Sequence, residues 1–224
     1  MTPTTPNQAG NQPAQALAAI RFGETKFLEQ LVDLGSIRMW PLGHFANQEN
    51  DGVRGDPFEG IDGNYQPNDV TRWTVSAPGR TFDLTPSGPI RYSLGHTPRL
   101  NVLCVALIYP PVEGDLVVPD GRGFGDGFVL FLDPDRFVDR LSTALQSHGQ
   151  ILEHGPVEYV DPCSHSGEWG PFRKPLGYSQ QAEYRFVARP GTGQALDLEL
   201  GPLHEIVSPV GPSSQVRELL RFLE

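Results

Sequence analysis

N-V-L-C-V-A-L-I, Asn101–Ile108, holds one polar residue, at its first position. A run this apolar reads as a strand covered on both faces, central in a sheet. Around it the chain reads as strands and turns. I-R-Y-S-L, Ile90–Leu94, is a strand before it. R-W-T-V and T-F-D-L flank A-P-G-R and form a hairpin. F-V-L-F-L, Phe128–Leu132, is a strand after it, and a Gly/Pro loop, Tyr109–Gly127, lies between. Ala46–Asp69 is polar and Gly-rich, a long loop of the kind that often carries function. E-Y-R-F-V, Glu183–Val187, is a further buried strand, and A-L-D-L-E-L alternates like a half-exposed one.

Helical signals are fewer. A-L-A-A-I-R-F is a first strand, and a helix follows with Phe27, Leu28, Leu31 and Leu34 on one face and Gly35 at its end. I-R-M-W-P, Ile37–Pro41, is the next strand. Asp133 caps a second helix, Pro134 opens it, and Phe137, Leu141 and Leu145 line one side. Q-V-R-E-L-L-R-F-L closes the chain as a third. Many strands and about three helices predict an α+β fold, mainly antiparallel, in two small packed sheets. Residues 1–15 read as a disordered tail, and 16–224 as a single α+β domain.

The 224 residues suit one core. Only 38% are apolar, while 25 Gly and 22 Pro favour turns and loops over long helices. A net charge of -10 repels phosphate backbones, so extended nucleic acid is an unsuitable partner. No apolar run is long enough to cross a membrane, and no signal peptide is evident. Two cysteines make no disulfide framework, so a reducing cytoplasm is expected.

Chemistry concentrates in two places. In Gln181-Ala182-Glu183 the outer residues project together if both lie on a strand. A carboxylate there can hold a ribose hydroxyl and stabilise an oxocarbenium cation, while the amide orients a nucleophile. Alternatively, Glu183 pairs with a basic neighbour at a sheet edge. In D-P-F-E, Asp56 and Glu59 could join Glu183 in a carboxylate cluster for Mg²⁺. Alternatively, Asp56 caps a helix with Pro57 first and Glu59 as its capping-box partner. Aromatics near loops, Trp40 among them, either stack on a ligand ring or plug the sheet ends.

Q-A-E at a strand start resembles the Q-x-E or E-x-E motif of ADP-ribosyltransferases. Ile20-Arg21-Phe22-Gly23, then a helix, then Ile37–Trp40, is similar to that family's opening order, and Tyr92-Ser93 is the nearest match to its middle motif. The resemblance implies NAD as substrate, without a metal. It makes Glu183 the catalytic carboxylate and Gln181 the residue orienting the acceptor. Arg21 would bind phosphates or ribose, and Tyr92 or Trp40 would pack the nicotinamide. A second resemblance covers most of Arg21–Val207. N-D-G-V-R-G-D-P-F-E-G, N-V-L-C-V-A-L and F-R-K-P-L-G-Y-S-Q-Q-A-E-Y-R-F are similar to bacterial proteins of phage-defence or toxin systems. It implies that Asp56, Glu59, Glu183 and Arg185 share one site, Arg185 serving the nucleotide. The expected function is therefore an NAD-dependent ADP-ribosyltransferase-like enzyme. The alternatives are a Mg²⁺-dependent nuclease or phosphodiesterase, and a non-catalytic nucleotide sensor or partner-binding protein.

Overall fold

A computed structural model describes residues 16–46, 55–110, 119, 121, 123–216 and 218. The expected tail at residues 1–15, the Asn47–Arg54 part of the first loop, most of Tyr109–Gly127 and most of the C-terminal helix lie outside these residues. In chain order the elements are β1 Ala18–Gly23, α1 Thr25–Leu34, β2 Ser36–Pro41, α2 Leu42–Ala46, β3 Gly63–Tyr65, β4 Trp73–Ala77, β5 Arg80–Leu84, β6 Ile90–Tyr92 and β7 Asn101–Ile108. There follow β8 Gly127–Phe131, α3 Pro134–Ser147, β9 Ile151–Pro156, β10 Glu158–Val160, β11 Gly167–Glu168, β12 Arg173–Pro175, β13 Glu183–Arg189, β14 Leu196–Glu199 and β15 Gly211–Pro212.

The fold is α+β with mainly antiparallel strands. β7 is central, as its composition requires. On one edge it pairs with β13 from Asn101 to Ala106, and β13 pairs in turn with β9. Its other edge is shared. β1 takes the C-terminal end, Ile20 opposite Ala106, and β2 takes the N-terminal end, Trp40 opposite Val102. Between those two registers the sheet is split. β1 leaves to pair with β8, and β2 leaves to pair with β14. Together with β15 these strands form one eight-stranded sheet. Three small sheets stand beside it: β11-β3-β6, β4-β5 and the parallel pair β10-β12. The A-P-G-R hairpin is thus β4-β5, and part of the supposed Ala46–Asp69 loop is strand β3.

One face of the split sheet is covered by α1 and α3. Phe137, Leu141 and Leu145 of α3 are fully buried against Val129, Phe131 and Phe186. Asp133 Oδ1 accepts from the Arg136 N–H at 3.0 Å, the N-cap that the D-P start foretells. α1 differs from expectation. Leu28, Leu31 and Val32 are buried, whereas Phe27 and Leu34 are more than half exposed. At 100° per residue, 28-31-32 is the tighter stripe, and Phe27 turns toward a cavity instead. The start of α1 is held from afar: Asp126 Oδ1 accepts from the Thr25 N–H at 2.8 Å. Gly35 ends the helix at φ 67, where a Cβ would lie 2.2 Å from the Gly201 carbonyl oxygen. Among the described residues no helix is long and apolar enough to cross a membrane.

Candidate functional site

The other face of β7 and β13 carries charge. Their register places Glu183 opposite Ala106, Arg185 opposite Cys104 and Val187 opposite Val102. Residues two apart share a face, so Glu183 and Arg185 lie together beside Cys104. Both are buried, at 7% and 1% exposed. Arg185 Nε donates to Glu183 Oε1 at 2.6 Å. Its other nitrogens are also committed. Nη1 donates to Glu59 Oε2 at 3.1 Å and to the Pro171 carbonyl at 2.6 Å, and Nη2 donates to Glu59 Oε1. Lys174, on β12, donates to Glu183 Oε2 at 2.9 Å and to Gln181 Oε1 at 2.8 Å, and lies 3.6 Å from Glu59. Two carboxylates and two cations thus close a buried quartet without net charge, the condition for holding ions away from water.

Glu59 reaches this quartet from the D-P-F-E segment, which is a turn and not a helix. Asp56 Oδ1 accepts from the Phe58 N–H at 2.8 Å, as an N-cap would. The turn then ends at Gly60, φ 81, whose Cβ position is 3.1 Å from the Pro98 backbone. Glu59 turns inward to Arg185 instead of back to the cap. Phe58 stacks on Trp169 at 5.0 Å and has Arg91 over its ring at 4.3 Å. Tyr178 hydroxyl donates to the Gly55 carbonyl at 2.7 Å. Asp56 is 1% exposed, and its Oδ2 has no hydrogen-bond partner among the described residues.

Gln181 and Glu183 do meet, but not by strand alternation. Gln181 ends a 3-10 turn, and Ala182 sits in the left-handed region at φ 44. That kink brings both side chains onto Lys174. The Glu183 N–H donates to the Tyr159 hydroxyl oxygen at 2.8 Å, and Tyr159 lies opposite Lys174 between β10 and β12. A left-handed alanine costs about 1–2 kcal/mol. Ala182→Gly should therefore stabilise the protein by about 0.5–1 kcal/mol after the added chain entropy of glycine. Urea denaturation reads this, and a destabilised variant would mean that the methyl group packs usefully.

The charges fix the protonation states. Burial pushes the Glu183 carboxyl up, but Arg185 and Lys174 overcome this and hold it well below the usual carboxylate range. Burial pulls Lys174 down, and Glu183 with Glu59 reverses it, raising it to about 12. Burial raises Tyr159 to about 12. It also pushes the Cys104 thiol far up, with Glu183 adding to the effect, so that thiol stays neutral. Asp56 is the exception. Burial first, then Glu59, raise it to about 6 against the pull of the Phe58 N–H, Lys174 and Arg185.

A cavity of about 490 Å³ opens at the split in the sheet. It is lined by Lys174, Gln181 and Arg21 together with the apolar side chains of Phe22, Phe27 and Ala106. Arg21 stands in the split, where its Nη1 donates to the Cys104 carbonyl at 2.9 Å. Trp40, 37% exposed, stacks on His44 at 4.3 Å with Arg38 5.5 Å from its ring centre. Six of the named candidates, Arg21, Trp40, Glu59, Gln181, Glu183 and Arg185, line this one cavity. Tyr92 does not. It stacks on Tyr65 at 6.2 Å in the β3-β6 sheet and lines a separate cleft with Asp62 and His96. Among the described residues no three His, Cys, Asp or Glu side chains are grouped to hold a metal ion, and Lys174 and Arg185 neutralise Glu59 and Glu183, which leaves Mg²⁺ little charge to bind. Lys174 and Tyr159 are not among the candidates that the sequence singles out. No family model, curated protein or solved structure matches this chain.

Proposed function

We propose that this protein binds a nucleotide-sized anion in the cavity of the split sheet, with NAD the first candidate, and holds it without cleaving it. The observation that carries the reading is convergence. Arg21 brings positive charge, Trp40 and His44 offer aromatic surface, and Gln181 adds an amide around one cavity of about 490 Å³. Ligand sites combine an apolar lining with a few convergent polar groups in this way. Binding is favoured over ribosyl transfer by the state of Glu183. Both of its oxygens already accept hydrogen bonds from Arg185 and Lys174. A carboxylate so neutralised offers little field to a developing ribosyl cation.

The test is thermal unfolding with NAD, ADP-ribose and AMP. At roughly 100 times Kd a ligand adds about 2.7 kcal/mol. For a chain of this length the melting temperature should then rise by about 5–10 °C. No shift with any of the three at millimolar concentration would sink the nucleotide reading.

A further inference from the structure

Among the described residues, the split leaves Leu103, Cys104 and Val105 of β7 without a strand partner on that edge. β1 is in register only as far as Ala106, and β2 begins at Val102. Cys104, midway, is matched by neither, although it faces Arg185 of β13 on its other side. In an antiparallel ladder the N–H and C=O of one residue point to the same edge, and neighbouring residues point to opposite edges. The Leu107 N–H donates to the Ala182 carbonyl at 2.7 Å, on the β13 side. Leu103 and Val105 therefore serve β13 as well, while Val102, Cys104 and Ala106 serve the edge shared by β1 and β2. The Cys104 carbonyl follows this rule, since it accepts from Arg21. Its N–H points into the same gap, and Cys104 lines the cavity.

We propose that the Cys104 N–H and the Arg21 guanidinium form a two-donor anchor for an anionic oxygen, phosphoryl or carboxylate, of the molecule that fills this cavity. The inference rests on reading the cavity as a binding site. A main-chain N–H directed into a buried space is costly unless it meets an acceptor. A charged oxygen beside a guanidinium makes the strongest such bond. Phe22, Phe27 and Ala106 also line the cavity and leave the remainder of the ligand an apolar surface. The anchor also explains why β1 and β2 do not close on β7: a continuous ladder would consume the donor.

Amide hydrogen exchange, resolved by ¹⁵N NMR, tests this on the whole chain. In the free protein the Cys104 amide should exchange at least about tenfold faster than those of Leu103 and Val105, which the ladder protects. Inorganic pyrophosphate or hexanoate should slow it by about tenfold and move its proton resonance downfield. The stronger of the two identifies a phosphoryl or a carboxylate source. Arg21→Gln, checked for folding by circular dichroism, should weaken that binding by at least about tenfold. A Cys104 amide as protected as Val105 in the free protein would overturn the anchor, and so would an amide that neither anion affects. Protection by pyrophosphate without any NAD binding would keep the anchor and remove the nucleotide reading. An NAD-induced melting shift that leaves Cys104 unchanged would do the reverse.

Discussion

Arg185→Met is expected to destabilise the protein by about 3–5 kcal/mol, a large part of the stability of an ordinary domain. The guanidinium bonds both Glu59 and Glu183 inside the protein. Its loss strands two carboxylates at positions 6% and 7% exposed, with Lys174 alone to balance them. The cost arises from that stranded charge rather than from the contacts removed. Adding Glu59→Gln to Arg185→Met should therefore restore part of the loss. Denaturant midpoints of the two single variants and the double variant give the coupling. A loss below about 1 kcal/mol for Arg185→Met would place the quartet in contact with water.

Asp56→Asn is expected to stabilise the protein above pH 6 and to do nothing near pH 4. The folded carboxyl is raised to about 6 from 3.8. A raised acid favours the folded state fully below its unfolded value, and this contribution is lost as pH rises from about 4 to about 6. At pH 8 the wild type then carries a penalty on the order of 3 kcal/mol, at 1.36 kcal/mol per unit. Asparagine keeps the oxygen that accepts from Phe58 and removes the charge. Glu183 acts in the opposite sense. Its lowered carboxyl contributes stability above its unfolded value near 4.5, lost as pH falls below that. The two together place the stability optimum of the network at about pH 4 to 4.5, where the Glu183 contribution is nearly complete and the Asp56 penalty has barely begun. Urea midpoints at pH 4, 6 and 8 check both variants of the curve. An asparagine variant weaker at every pH would mean that Oδ2 cannot tolerate an amide.

Much of the fold was legible because its signals are local. Asp133-Pro134 with the 137-141-145 stripe, Gly35 after α1, and A-P-G-R between two short strands all lie within one element or one turn. The central place of β7 followed from its unbroken apolar run. The site was legible only in its members. Glu59 and Arg185 are 126 residues apart and meet through the topology of β13, so no spacing announced that they neutralise each other. D-P-F-E has the composition of a helix start, but Gly60 and the pull of Arg185 turn it inward. Gln181 and Glu183 meet through the kink at Ala182, where alternation had suggested a shared strand face. Tyr92 followed β6 into another sheet, which residue type alone does not disclose.

The most direct measurement is a proton NMR titration of NAD with the purified protein, following bound NAD and free nicotinamide in one sample, beside a folded Glu183→Gln variant. The structure predicts that NAD resonances broaden and shift on the wild type while free nicotinamide stays at its blank level. NAD resonances unchanged at millimolar concentration would contradict the binding site. Nicotinamide released by the wild type and lost in Glu183→Gln would contradict the fixed, non-reacting Glu183 and establish ribosyl transfer in its place.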